Sequence, residues 1–123
     1  MQRASTRWIV VIGGFALAGW GLGTLAVAQL APRRIEMTAT KFMFDRAEIR
    51  VRKGERATLV LTTPDFVHGF SVPELATRVD AVPGRTVEIA LPTDRAGRFV
   101  FLCDNFCGDG HDRMSGVLVV SEE

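Results

Sequence analysis

Hydrophobic and polar positions follow two regimes along this chain. From Trp8 to Ala31 every residue is uncharged, and only Thr24, Gln29 and scattered glycines interrupt the apolar run. A helix rises about 1.5 Å per residue, so this stretch reaches about 36 Å and crosses a hydrocarbon core of about 30 Å with some tilt. Gly19 and Gly23, four residues apart, suit close helix packing in lipid, and Trp8 suits the interface where the span begins. From Ile35 onward the pattern shortens to period two. Ile35–Lys41 alternates apolar and polar residues, Ile49 and Val51 repeat it, and Ala57–Thr63 is apolar and β-branched. Arg78–Val82, Thr86–Leu91, Arg98–Cys103 and Gly116–Ser121 continue the series. Lys53-Gly54, Thr63-Pro64-Asp65, Pro83-Gly84 and Arg95-Ala96-Gly97 supply the turns. No amphipathic helical stretch follows residue 31. The pattern predicts an N-terminal transmembrane anchor, residues 1–31, and an all-β domain, residues 32–123, built as an antiparallel sandwich or barrel.

The N-terminal segment has a second reading. Arg3 and Arg7, the apolar run and Ala26-Val27-Ala28 also follow the order of a cleaved secretory signal. The run is longer than the usual signal core, which favours retention as an anchor. Arg33 and Arg34 nearly balance Arg3, Arg7 and the amino terminus, so the positive-inside comparison is close to a tie. Either reading exports the C-terminal domain.

Composition narrows the classes further. The chain has 123 residues, 47% hydrophobic and 24% charged, the balance of a folded domain. One small domain fits after residue 31 and a second does not, which excludes large multidomain enzymes. Of the 15 basic residues only Arg3 and Arg7 precede the apolar run, and all 14 acidic residues follow it. The remainder therefore carries a net charge of −1, without the basic face that nucleic acid requires.

Candidate chemistry is concentrated in one place. The chain has 2 Cys, 2 His and 4 Met. Both cysteines, one histidine and one methionine fall in Cys103-Asp-Asn-Phe-Cys107-Gly-Asp-Gly-His111-Asp-Arg-Met114. The other histidine lies in Asp65-Phe-Val-His68-Gly-Phe-Ser-Val-Pro73, which reads as a loop between strands. Thiolate, imidazole and thioether together select a soft, redox-active metal, copper first, and a carboxylate-poor set argues against calcium and magnesium. Other readings stand beside this one. The cysteines could form a disulfide, although so short a loop gains little from closure and both histidines and Met114 would be left over. A Cys2His2 zinc site is open too, but the spacing is not that of a finger and zinc has no use for Met114. A mononuclear blue-copper site takes two His, one Cys and an axial Met, leaving one thiolate spare. Haem attachment is excluded, because three residues rather than two separate Cys103 from Cys107 and Gly110, not a cysteine, precedes His111, so C-x-x-C-H is absent. Taken singly, His68 reads as a loop histidine, and Met37 and Met43 read as structural. Two thiolates four residues apart, with two imidazoles, suit a pair of copper ions bridged by both sulfurs. One electron shared over two metals changes each atom little, which suits electron transfer rather than bond-making.

The motif C-x-x-x-C-G-x-x-H-x-x-M, with D-x-x-H-G-F upstream, resembles the dinuclear CuA site of cytochrome c oxidase subunit II and of nitrous oxide reductase. The resemblance runs from about Thr38 to Val120 and includes Asp80-Ala-Val-Pro-Gly-Arg85 and Gly97–Leu102. It implies a Greek-key cupredoxin sandwich. It implies that His68 and His111 each ligate one copper, that Cys103 and Cys107 bridge, that Met114 is a weak axial ligand and that Asn105 offers its backbone carbonyl opposite. Asn105 stands where many family members carry a Glu whose side chain also helps hold a magnesium ion at the contact with subunit I. Most members also have a two-helix hairpin and a Trp/Tyr-rich electron-uptake patch. This chain has one apolar segment and no Tyr, and both Trp (Trp8 and Trp20) fall inside that segment, which is similar to the shorter B-type haem–copper oxidases. Phe42 or Phe44 is then the candidate uptake aromatic, with ordinary strand core as the alternative.

The resemblance implies a single-pass protein of the cytoplasmic membrane whose domain, on the periplasmic or outer face, takes electrons from a cytochrome c or small copper protein and passes them to a haem–copper oxidase core through subunit I. The chain alone is not expected to reduce oxygen, since both histidines are used by the copper site. The rivals are a free-standing CuA electron carrier and an exported copper-delivery protein. Asp104, Asp109 and Asp112, between the ligands, are expected either to attract a basic donor or to serve only as turn residues. The anchor reading is checked by the intact mass of the chain extracted from membranes. Residues 8–31 should be present, and a mature chain beginning at Gln29 would contradict that.

Overall fold

Alternation in the sequence becomes alternation in burial. The computed structural model describes residues 30–105 and 113–123, which form nine strands and one short 3-10 turn, Pro73–Leu75. The strands are β1 (Arg33–Thr40), β2 (Met43–Phe44), β3 (Glu48–Arg52), β4 (Ala57–Thr62), β5 (His68–Val72), β6 (Thr77–Ala81), β7 (Val87–Ala90), β8 (Gly97–Leu102) and β9 (Ser115–Ser121). One sheet has the order β2-β1-β4-β7, and the other β3-β9-β8-β5-β6. Ile35, Met37 and Ala39 of β1 turn inward, as do Ile49 and Val51 of β3 and Phe99 and Phe101 of β8. The expected N-terminal anchor lies, apart from Leu30 and Ala31, outside the described residues. Among the described residues no helix is long and apolar enough to cross a membrane.

The all-β class holds, but the antiparallel expectation needs correction. β1 pairs parallel with β4, from Arg33↔Ala57 to Thr38↔Thr62, and β3 pairs parallel with β9, from Glu48↔Val117 to Arg52↔Ser121. Turn signals show only which strands follow one another closely. Between β1 and β4 the chain leaves to lay down β3 in the other sheet, and it returns running in the original direction.

A second correction concerns Asp65–Pro73, which reads as a loop. Its centre, His68–Val72, is strand β5, hydrogen-bonded to β6 on one side and β8 on the other, and all five residues are buried. Gly69 and Ser71 conceal the period-two pattern, because the small residues fill one face while His68, Phe70 and Val72 fill the other. The two-residue strand β2 was equally illegible, lying between Phe42, whose φ is 75°, and a turn.

Three rings join the sheets. Phe44 of β2 meets Phe70 of β5 and Phe101 of β8 edge-on, with centroids 6.1 and 5.4 Å away, and Phe70 lies 5.3 Å from Phe101. Each ring removes about 150–250 Å² from water, so this triad ties β5 and β8 to the opposite sheet. Phe44 is thus core, whereas Phe42 is 39% exposed. Met37 is core as expected, but Met43 is 56% exposed.

Candidate metal centre

Strand alternation carries past the end of β8 and sorts the next residues by face. Phe101 points into the core, and Cys103, two residues on, is likewise buried at 3% exposure. The N–H of Cys103 donates to the carbonyl of Met114 at 3.0 Å, just beyond the β8–β9 pair Leu102↔Ser115. This bond closes the base of the loop and sets Met114, itself buried, beside the first cysteine. β5 supplies His68 from the neighbouring strand, with the ring wholly buried. His68 Nδ1 lies 4.0 Å from Cys103 Sγ. The Asn105 carbonyl accepts from the same sulfur at 3.2 Å. His68, Cys103, the Asn105 carbonyl and Met114 are therefore gathered at one end of the sandwich. Cys107 and His111 lie outside the described residues. Among the described residues no group of three or more His, Cys, Asp or Glu gathers as a metal site, and two of the four expected His and Cys donors fall in 106–112.

The orientation of His68 is set from behind. Its Nε2 lies 2.8 Å from Asp65 Oδ1. Oδ1 also accepts from the Phe66 N–H at 2.7 Å and the Thr63 hydroxyl at 2.8 Å, and Oδ2 accepts from the Lys41 N–H at 2.6 Å. Burial alone would raise the Asp65 pKa, but the hydrogen bonds from Phe66, His68, Thr63 and Lys41 outweigh it and hold the group well below the ordinary carboxylate range. An ionised carboxylate can only accept, so Nε2 carries the imidazole proton and Nδ1 presents its lone pair on the Cys103 side. The donor chemistry fits a soft, redox-active metal: a fixed imidazole lone pair, a buried thiol and a carbonyl directed at that sulfur.

On the outer face a second set of contacts holds the loop. The Arg78 guanidinium of β6 donates to Asp104 through Nε and to Asp80 through Nη2, the latter at 2.8 Å, and the Asn105 Nδ2 donates to Asp80 at 2.8 Å. The Arg78 and Asn105 hydrogen bonds lower the Asp80 pKa against the opposing effect of burial. Asp104 is thus paired with Arg78 on this face. Asp109 and Asp112 lie outside the described residues.

The sequence marks Asp65 only as a turn residue and by its D-x-x-H spacing, and Asp80 only as part of the Asp80–Arg85 motif; it gives Phe66, Gly69 and Arg78 no part in the site. Phe66 stacks on the His68 ring with centroids 4.7 Å apart and is 37% exposed, so it links the buried imidazole to the surface.

The two-sheet fold with these residues at one end is of the cupredoxin type. Residues 27–121 match the family model described as cytochrome c oxidase subunit II, periplasmic domain, and the chain belongs to that family. It is 30% identical over 105 residues to a cytochrome c oxidase subunit 2 of Thermus thermophilus, covering 84% of this chain and 78% of that one. A second Thermus thermophilus subunit 2 is also 30% identical, and the match spans 62% of its length. Among solved structures, the periplasmic domain of subunit II of cytochrome oxidase from Bradyrhizobium japonicum shares the fold at a TM-score of 0.67 and 21% identity, over 74% of this chain and 85% of that one. A chain of a heme–copper terminal oxidase dimer aligns at a TM-score of 0.64 and 28% identity, over 72% of this chain and 65% of that one.

The Asp65 contacts generate a pH prediction. Folded Asp65 titrates below its unfolded value of about 3.9, so its contribution to stability is complete above that pH and fades as pH falls. Asp65→Asn should lower stability at neutral pH and flatten the acid side of the stability curve, measured by urea unfolding across acid to neutral pH. An acid limb as steep as that of the unsubstituted chain would contradict this.

Proposed function

We propose that this chain is the electron-accepting domain of a haem–copper terminal oxidase and that His68, Cys103, Asn105, Cys107, His111 and Met114 hold a dinuclear CuA centre. The observation that carries the reading is the convergence of His68 Nδ1 and the Asn105 carbonyl on Cys103 Sγ, in a chain of the subunit II family. The thiolates of Cys103 and Cys107 would be shared by the two coppers, His68 and His111 would each give an imidazole to one of them, and Met114 and the Asn105 carbonyl would be the weaker donors. The bound copper pair supplies one reversibly transferred electron.

The chain's own residues do the rest. Asp65 keeps the Nε2 proton in place and leaves Nδ1 free to ligate. The Cys103–Met114 backbone bond and the β8–β9 ladder fix the ends of the ligand loop, so Cys103 and Met114 move little when the charge changes. Burial of His68, Cys103 and Met114 keeps water from reorganising around that charge. Phe66 gives an incoming electron a contact with a ligand ring, and Val67, Phe42 and Met43 are further exposed apolar residues of the two segments at this end. Lys41 joins the two segments through its N–H bond to Asp65. A cytochrome c or small copper protein docks there, and subunit I of the oxidase core receives the electron. The domain lies on the periplasmic or outer side of the cytoplasmic membrane, anchored by a single pass.

Copper counting and visible absorption test the reading. The reconstituted protein should bind two copper ions and turn purple. Cys103→Ser and Cys107→Ser should each abolish the mixed-valence spectrum, whereas Met114→Leu should keep it and shift the potential. One copper per chain, or a lone intense blue band, would contradict the dinuclear assignment.

A further inference from the structure

A side-chain cation, Arg78, reaches the start of the ligand loop from the outer face of the sheet. One step of strand alternation separates the two functions: Cys103 faces the core, and Asp104 faces the outer surface of β5 and β6. There the register sets Gly69 opposite Asp80 and Ser71 opposite Arg78. Asp104 lies so close to the bare Gly69 that a Cβ at that position would meet Asp104 Oδ1 at 1.8 Å and the Asn105 nitrogen at 3.2 Å. The same carboxylate accepts from Arg78 Nε through Oδ2, while Arg78 Nη2 reaches Asp80 and Asp80 accepts from the Asn105 amide. The guanidinium fork thus spans two carboxylates, one on its own strand and one on the ligand loop.

The magnesium ion that the family resemblance associates with the Asn105 position does not fit these residues. Asn105 offers no carboxylate and its Nδ2 is committed to Asp80, while both nearby carboxylates already accept hydrogen bonds from Arg78. A divalent ion would have to displace a tethered cation to bind.

We propose that Arg78 is a positioning residue, a built-in cation that takes the place of a dissociable metal ion and, through Asp104 and Asp80, holds Cys103 Sγ and the Asn105 carbonyl in register with His68. The effect on copper rests on the dinuclear reading above, but the clamp itself belongs to the protein with or without metal. Arg78 is partly exposed, and exposed ion pairs add little to global stability, so its loss should loosen the loop without unfolding the sandwich.

Hydrogen exchange on the copper-free chain, with the spectrum and reduction potential of the copper-loaded chain, tests this. In Arg78→Gln the Cys103 amide, which bonds to Met114, should exchange about tenfold faster, while the Leu118 amide in β9 is unchanged. Asp104→Asn should reproduce the effect, and the double variant should be no worse than either single one. Arg78→Lys should recover it only in part, because an ammonium cannot span both carboxylates as the fork does. With copper bound, Arg78→Gln should broaden the mixed-valence spectrum and shift the potential, and manganese(II) added to the unsubstituted protein should stay free in solution. Unchanged Cys103 exchange, or equal acceleration at Cys103 and Leu118, would overturn the clamp, as would tight manganese binding to the unsubstituted protein. Failure of the unsubstituted chain to bind two coppers would instead overturn the dinuclear reading and leave the exchange result standing.

Discussion

The candidate site depends on one strand being buried on both faces. β5 must turn His68 inward and still let the ligand loop lie across its outer surface, and only small side chains allow that. Gly69 is the position of closest approach, since any Cβ there would collide with Asp104. Ser71, the other outward residue, sits in the pair that joins β5 to Leu102 at the end of β8. With the loop seated on this surface, Cys103 falls on the core side of the same ladder that brings His68, and the two donors meet without any residue reaching far.

Different forces hold the fold and the site. The sandwich rests on apolar burial, above all on the Phe44, Phe70 and Phe101 rings that join the sheets. Truncating a ring of that kind costs about 3–5 kcal/mol, far beyond what an exposed ion pair contributes. The polar contacts instead choose among geometries that the core would tolerate. Asp65 fixes which nitrogen of His68 is protonated, and Arg78 fixes where the loop begins. An electron-transfer site needs this division, because donors that stay in place when charge changes keep reorganisation small.

Much of this was legible in the sequence. Most strands announced themselves by alternation, and the Cys103–Met114 spacing with His68 upstream pointed to the place where His68, Cys103, Asn105 and Met114 gather. The illegible parts depend on contacts between elements that the local pattern does not display. β5 was masked because Gly69 and Ser71 look like loop residues until the ligand loop covers them. The parallel pairings were hidden because β1 and β4 meet only after the chain has visited the other sheet. Asp104 read as a free acid of a metal loop because its partner, Arg78, is 26 residues away. Nothing in the local pattern marks Phe66, whose relevance comes from the stacked ring of His68.

The central claim is that one electron is shared between two equivalent metals held by these donors. Electron paramagnetic resonance of the copper-loaded, one-electron-oxidised protein tests it most directly. Two equivalent copper nuclei should both split the signal, giving the narrow, closely spaced hyperfine pattern of a delocalised pair. A signal split by a single copper nucleus would contradict the account.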